Sequence, residues 1–491
     1  MTSSPVFSET LPGAAQGRVT RVAVGLAALL IIAACLVGAG QWPLLLMVPV
    51  VLAPAVVVMA LIAARPNLCI LTCLFLLYSN AAVVAVRSHG APFFLVSAIP
   101  LLLAIPVAQH VLFGRERLTV NSILELFLVF LGSQLLASTW SSDPRRSLTV
   151  LRGNFVEGFL LMFLLTNALR TPESLRSAIR GIVAAGAFMG GLSFLQQITG
   201  TWDFDYGGFA QVSFRKSMGP IGEQNYYAQM LLMTVPPGLF LFRRERSRVG
   251  RILAGLATAA AVLGCTATFS RGGAVGFLVI VLALTGMGYL RIRHTAALAL
   301  GLSLLLILHP EYRARIASLQ TVTGTIIPEQ RNGQEPDTAL KGRATEMLAA
   351  VRVFADYPLT GVGPGMFESY SREYAREGGL IALKEERMAH CLYLGVAAES
   401  GLPGLVCLLV VFAAVIRRLE TVRRTWRSSC PELSDMAASL LLVVLSYLTT
   451  ATFLSLAYER FIWIMVGVSC AIGSVRATEP SVPGLAAGSQ P

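Results

Sequence analysis

Met388-Ala389-His390-Cys391-Leu392-Tyr393-Leu394, continuing through Glu399-Ser400-Gly401-Leu402-Pro403-Gly404, is where the longest polar segment of the chain runs back into an apolar one. A membrane-spanning helix needs about 20 mostly nonpolar residues, and Cys391–Ile416 supplies them. The rest of the chain has the same character. Of its 491 residues 55% are hydrophobic and only 13% charged, against about 25% charged in a soluble chain. Lipid offers backbone groups no partner, so spans are helices unless a barrel closes. The composition therefore predicts an all-α, polytopic integral membrane protein.

Candidate spans are Val22–Ala39, Pro43–Ala63, Leu68–Val86, Pro92–Phe113, Val120–Ser138, Leu148–Leu169, Leu175–Ile198, Tyr227–Phe242, Ile252–Phe269, Gly273–Leu290, Ala296–Leu308, Cys391–Ile416, Met436–Leu454 and Phe461–Val475, which sets the expectation at 12–14 helices. Val22–Ala39 is read as a first span and not as a cleaved signal, because its polar lead is long and further spans follow at once. The expected plan is a cytoplasmic tail (1–20), a helix bundle (21–308), a periplasmic loop (309–389), C-terminal helices (390–476) and a Pro-, Gly-, Ser- and Ala-rich disordered tail (477–491).

The net charge of +12 is not a nucleic-acid signal in such a chain. Lys and Arg gather in short loops, the mark of cytoplasmic loops. Arg115–Arg117, Arg170–Arg180, Arg243–Arg251, Arg291–His294 and Arg417–Arg427 all fall on one side under strict alternation, and both termini join them. Thr139–Arg146, Thr201–Gln224, the turn Ser270–Gly273 and the loop His309–Ala389 fall on the other. Within that loop Ala344, Met347, Leu348, Val351 and Phe354 recur at helical spacing. Tyr357–Gly365 then breaks the pattern with Gly and Pro, and Gln320–Asp337 is polar and expected to be mobile.

The eight cysteines lie mostly in apolar runs, and no CxxC or Cys/His spacing suggests a metal or redox pair. The candidate chemistry lies with cations on the outer side: Arg145, Arg146, Arg152, Arg215, Lys216, Arg271, Arg343 and Arg387. An arginine near a bilayer is costly and wants a partner, and its planar fork suits phosphate oxygens. Snorkelling to lipid headgroups is the plainer role and is preferred for Arg145 and Arg146. A diphosphate site is preferred for Arg215 and Arg271, the latter in a minimal turn between two helices. His390 stands at a helix start with Lys384 and Arg387 upstream. An imidazole titrating near pH 6.5 can take a proton from a hydroxyl, or it can simply cap or pack; the residues alone leave both open. Gly401-Leu402-Pro403-Gly404 interrupts the run, so Cys391–Ser400 can form a separate short helix. Glu399 at that break can pair with an outer arginine or cap the N-terminus of the next helix.

Taken together these stretches resemble the O-antigen ligase and polymerase superfamily of bacterial envelope glycosyltransferases. The resemblance rests on Asp356–Phe367 and on the spacing of His390, a small polar position, nine residues, Gly401, two residues and Gly404. Cys391 departs from the Asn, Ser or Gln usual after the histidine. Phe269-Ser270-Arg271-Gly272-Gly273 looks like the family's Ser-Arg-Gly turn. Gly219–Ala228 with Asn225 looks like its Gly…Asn…Ala element, with Arg215 or Lys216 as the upstream basic residue; Gly342-Arg343 fits as well. The resemblance runs from Arg215 to Leu405.

It implies a multi-pass enzyme of the bacterial inner membrane with its active site facing the periplasm. Such an enzyme transfers a glycan from an undecaprenyl-diphosphate carrier to an acceptor hydroxyl, on a lipid A-core or a growing polysaccharide. His390, Arg271 and Arg215 would be catalytic, with Lys216, Asn225, Arg343, Arg387 and Glu399 on the substrates. Membrane lipids would be partners and nucleic acid would not. No metal or cofactor is implied, since arginines supply the cations. Protein O-glycosylation within the same superfamily and a lipid-linked oligosaccharide flippase are the alternatives. A flippase predicts charges deep in several spans and an internal repeat, neither of which the sequence displays.

Overall fold

The computed structural model describes residues 65–92, 94–112, 114–308, 338–378, 385–454, 460–473 and 475. Two expected spans, Val22–Ala39 and Pro43–Ala63, lie outside these residues, as do Gln320–Asp337, Lys384 and the two tails. Each of the other twelve expected spans falls on a helix or a broken helix. The elements are α1 (Pro66–Tyr78), α2 (Ala81–His89), α3 (Phe94–Leu101), α4 (Ala104–Leu112), α5 (Ser122–Thr139), α6 (Pro144–Val150), a π-helical turn (Leu151–Val156), α7 (Glu157–Ala168), α8 (Pro172–Thr199), β1 (Gln211–Ser213), β2 (Lys216–Gly219), α9 (Gln224–Arg244), α10 (Arg248–Ala267), α11 (Arg271–Gly286), α12 (Ile292–Leu308), α13 (Thr338–Asp356), α14 (Phe367–Gly378), α15 (Leu392–Thr425), α16 (Pro431–Thr450) and α17 (Arg460–Ile472).

The protein is an all-α polytopic membrane protein. Helices Ser122–Thr139, Pro144–Ala168, Pro172–Thr199, Arg248–Ala267, Leu392–Thr425 and Pro431–Thr450 are each long and apolar enough to cross a bilayer. The pair α1 and α2 makes a seventh such unit, bent by 50°. Among the described residues, fewer uninterrupted spans appear than the twelve expected there, in two places for local reasons. Pro100 lies inside α3, where its missing N–H and its ring end helical hydrogen bonding, so Pro92–Phe113 is two short helices. Asn80 adopts a left-handed conformation (φ 58°) between α1 and α2.

Helix starts are set by side chains that accept orphan N–H groups. Asn121 caps α5, Thr171 and Ser174 form a capping box at α8, and Ser247 caps α10. Inside, α17 is buried from Phe461 to Ile472. Trp463 meets Phe127 edge-on at 4.9 Å and stacks with Phe412 at 6.2 Å. Where α8 crosses α10, a Cβ on Gly264 would stand 2.4 Å from the Cα of Gly190. Small residues there let the backbones touch, which is how membrane helices gain packing without a hydrophobic drive between them.

The five arginine-rich loops gather at one end of the bundle, as the alternation predicts. Arg170 pairs with Glu116 at 2.5 Å, Arg180 with Glu245 at 2.9 Å, and Arg176 with Glu432. Arg244 and the Tyr289 hydroxyl both reach Asp435, at 2.5 and 2.8 Å. The Ser434 hydroxyl donates to the Arg423 carbonyl at 2.7 Å.

Candidate active site

The opposite end of the bundle collects the remaining polar motifs. Two neighbouring helix starts are joined there by one hydrogen-bond network. Glu223 caps α9 by accepting the Tyr226 N–H at 2.7 Å. Its other oxygen accepts from Asn225 Nδ2 at 2.9 Å, and Asn225 Oδ1 accepts the Ser270 hydroxyl at 2.9 Å. Ser270 in turn caps α11 by accepting the Gly273 N–H at 3.2 Å. Asn225 and Ser270 are buried. Asn225 therefore holds the Ser-Arg-Gly turn in place. Arg271 follows as the first residue of α11, half-buried at the rim.

Ahead of α9 stands the hairpin β1–β2. Ser213 pairs with Lys216, leaving Phe214 and Arg215 as a two-residue turn. Both have positive φ, 49° and 58°, the sense a tight hairpin needs. Phe214 is 93% exposed and Arg215 is exposed beside it, while Lys216 is half-buried at the base. The hairpin is tied down by Ser217, whose hydroxyl donates to Ser193 at 2.7 Å; Ser193 also shares a 2.8 Å bond with the Tyr227 hydroxyl.

His390 reaches this region through its own loop. Tyr226, next to Asn225, directs its hydroxyl to the Met388 sulfur at 3.6 Å. The Leu392 N–H bonds the Ala451 carbonyl at 2.9 Å, fixing the start of α15 on the end of α16. His390 itself adopts φ 46°. Among the described residues seven non-glycine residues have positive φ, and four of them (Phe214, Arg215, Phe269 and His390) belong to these motifs. A left-handed conformation costs a non-glycine residue about 1–3 kcal/mol and concentrates at working sites.

The imidazole environment is defined on one side. Nδ1 bonds the Met388 carbonyl at 3.1 Å, and Oε2 of Glu346 approaches the same nitrogen to 2.7 Å as an ion-pair contact. Two acceptors facing Nδ1 favour a proton on that nitrogen, and in the neutral ring the lone pair then lies on Nε2. Glu346 is buried, whereas His390 is 30% exposed. The other oxygen of Glu346 faces Arg387 Nη1 at 3.4 Å, and the Arg387 N–H bonds the buried Ser371 hydroxyl at 3.1 Å. A carboxylate taken out of water needs compensation, and His390 and Arg387 are positioned to supply it.

Glu346 is the residue that sequence patterning missed. It lies on α13, where the stripe Ala344, Met347, Leu348, Val351 and Phe354 that reveals the helix is exposed or half-buried. The buried face is Thr345, Glu346, Ala349, Ala350 and Val353. Small residues pack inward against Val362, Phe367 and Ala389, and the larger apolar ones turn outward. The signal was a glutamate in register with that small-residue face. Arg343 sits half-buried on the same helix, one turn before Glu346.

Glu399 caps a helix start, but that of α14 and not that of the helix segment after the Gly401 break. It is buried, and its carboxylate accepts the backbone N–H groups of Gly365 and Phe367 at the start of α14. The helix α15 breaks at Gly401 (φ 66°, ψ −170°), a region open only to glycine. The Leu402 N–H then bonds the Pro358 carbonyl at 2.7 Å, while the N–H groups of Val362 and Gly363 bond the Ala398 and Glu399 carbonyls at 3.0 and 2.8 Å. A Cβ on Gly361 would lie 2.3 Å from the Glu399 carbonyl. The glycines thus let the 357–366 loop lie against the break, and so fix the segment that begins at His390. Arg146, expected among lipid headgroups, instead meets Glu368 at 3.3 Å and Ser369 at 3.0 Å. With Asn154 of the π-helical turn, Met388, Leu392 and Glu399 it lines a cavity of about 240 Å³ beside the His390 loop.

No curated protein matches the chain. Residues 256–409, which hold Arg271, Glu346, His390 and the Gly401 break, match the family model described as O-antigen ligase, and this stretch is similar to that family.

Proposed function

We propose that the protein transfers a glycan from an undecaprenyl-diphosphate carrier to an acceptor hydroxyl at the periplasmic face of the bacterial inner membrane, in the assembly of a surface polysaccharide. The observation that carries this reading is the Glu346–His390 pair, joined through Met388 and Tyr226 to the helix start that holds the Ser-Arg-Gly turn. Nε2 of His390 takes the proton of the acceptor hydroxyl as its oxygen attacks the anomeric carbon. The bond from that carbon to the diphosphate oxygen breaks, the electron pair leaves with the diphosphate, and the configuration inverts. The Glu346 carboxylate offsets the positive charge that the ring gains.

Arg271 and Arg215, with Arg343, bind the diphosphate and stabilise it as it leaves. Guanidinium forks do this without a metal, and fixed charges aimed at developing charge are the most productive catalytic device. Lys216 and Arg387 add positive potential around the same polyanion. Asn225 and Glu399 act through the backbone they hold. Both Arg271 and His390 stand at helix starts, at an end of the bundle, which favours an enzyme over a flippase.

We take ligation to a lipid A-core as the reading to test, in line with the matched description O-antigen ligase; that match supports a ligase-type and a polymerase-type function alike. The test offers the purified protein a lipid-linked repeat with and without a lipid A-core acceptor. Transfer only with the core is the expected result. Chain growth without it identifies a polymerase, and neither product overturns the enzyme reading.

A further inference from the structure

The end of the bundle opposite to His390 carries a second built site. Two cavities meet there. One, of about 280 Å³, is an apolar groove between α9, α11 and α16, walled by Leu239, Phe242, Leu284 and Leu442. The other, of about 210 Å³, is polar and lined by Arg243, Arg244, Arg423, Arg427 and Asp435. Arg243, Tyr289 and Asp435 belong to both, so the groove opens directly into the polar cup.

The charges in the cup do not balance. Asp435 is engaged by Arg244 at 2.5 Å and by the Tyr289 hydroxyl at 2.8 Å. Arg423 is held in a fork by Glu420, both bonds being 2.7 Å. Arg243 touches Asp435 only at 3.4 Å, is 57% exposed, and has its guanidinium over the Tyr289 ring at 5.4 Å. Arg427 is exposed and makes no ion pair among the described residues. Two guanidinium groups therefore face the cup with charge to spare, at the mouth of a groove whose Leu239 and Phe242 are partly open to the bilayer.

We infer that this is a binding site for an anionic glycerophospholipid of the surrounding leaflet. The phosphate lies against Arg243 and Arg427, and an acyl chain lies in the groove. Guanidinium groups pair with phosphate oxygens through parallel N–H bonds. Basic pockets between membrane helices on the arginine-rich side select anionic head groups. A free phosphate would use the cup and leave the groove empty; a zwitterionic lipid would use the groove and leave the charge unmet. The site is independent of glycan transfer, because α9 separates it from Asn225 by most of its 21 residues, at about 1.5 Å per residue.

Native mass spectrometry of the full-length protein in neutral detergent tests this, with phosphatidylglycerol and phosphatidylcholine of identical acyl chains as probes. The expected result is one retained phosphatidylglycerol, favoured over phosphatidylcholine by about tenfold or more, given what two arginines near a charged leaflet contribute. The double variant Arg243→Gln, Arg427→Gln loses that preference and keeps wild-type glycan transfer. Leu284→Trp, which fills the groove and leaves the arginines, loses retention of both lipids. Equal retention of the two lipids by the wild type overturns the assignment, as does undiminished preference in the double variant. Displacement of phosphatidylglycerol by inorganic phosphate, or its replacement by a polyprenyl monophosphate at equal concentration, overturns it too.

Discussion

Oε2 of Glu346 lies 2.7 Å from Nδ1 of His390, and only the histidine is open to solvent. The pair makes the two residues one unit: the carboxylate bears on the proton-transfer step through the ring. His390→Ala should lower kcat by about 10²–10⁴-fold, the range of general-base assistance, with little change in donor KM. Glu346→Gln should lower kcat by a smaller factor, and Glu346→Asp should recover part of it. The double variant Glu346→Gln, His390→Ala should be no slower than His390→Ala alone, since residues that act as a unit are not additive. Single-turnover rates with a lipid-linked donor check this; additive losses would separate the two residues.

Arg271 opens α11, directly after the Ser270 cap, so its guanidinium is held by a fixed helix start. Arg271→Lys keeps the charge and loses the fork. It should raise donor KM and lower kcat together, the latter by about 10²-fold, as when one preorganised donor to a transition-state oxyanion is removed. Arg215→Ala, at the exposed hairpin tip, should weaken donor binding more than turnover. Initial-rate kinetics against donor concentration separate the two patterns.

The Ser270 hydroxyl donates to Asn225 Oδ1 in a buried contact. Asn225→Ala strands that donor and also releases Glu223, at a cost of about 1–3 kcal/mol for a buried unsatisfied group. Thermal unfolding in detergent should therefore show a lower Tm for Asn225→Ala, and Ser270→Ala added to it should lower Tm further only by the loss of the α11 cap, about 1 kcal/mol. A variant that loses donor affinity at unchanged Tm would instead make Asn225 a substrate contact.

The fold was legible because lipid enforces it: long apolar runs admit helices and little else. Helix breaks at Asn80 and Pro100 were not legible as breaks, since a run of apolar residues reads as continuous whether or not one residue inside it turns left-handed or lacks an N–H. The site was legible wherever its chemistry is local. His390, the Ser270-Arg271 turn and the Gly401–Gly404 spacing are contiguous motifs, and each owes its position to nearby backbone. Glu346 was not legible, because a glutamate in a polar segment looks solvated until the helix is known to bury its small-residue face. The Arg146–Glu368 pair was not legible for the same reason: the two residues lie far apart along the chain, beyond the reach of any local pattern.

Gly401 shows how backbone geometry reaches the site. Its φ of 66° and ψ of −170° suit only glycine, and a Cβ there would lie 2.6 Å from the Leu359 carbonyl. Gly401→Ala should lose about 1–3 kcal/mol from the backbone conformation alone, with more from the contact. It should also lower transfer in the fraction that folds, because the helix that starts at Leu392 is set by this break. Chemical unfolding and specific activity of the folded fraction, measured side by side, give the two effects separately.

At the other end of the bundle, Glu245 joins α9 to α8. Its carboxylate accepts from Arg180 Nη2 at 2.9 Å and lies 3.9 Å from Arg176. The hydrogen bond from Arg180 and the nearby arginine charges hold its pKa below the ordinary carboxylate value, against a smaller opposing effect of burial. A carboxyl group whose pKa is depressed by folding binds protons more readily when unfolded, so its contribution is complete above the unfolded value, about 4.3 for glutamate. It is lost as pH falls through the lower folded value. Between pH 8 and pH 5, Tm measured in a non-ionic detergent should therefore differ between wild type and Glu245→Gln by a constant amount. Below about pH 4 the two curves should converge as the wild-type carboxylate takes up its proton. Convergence already at pH 6, or a gap that widens on acidification, would show that the Arg180–Glu245 pair does not set the pH dependence of this helix junction.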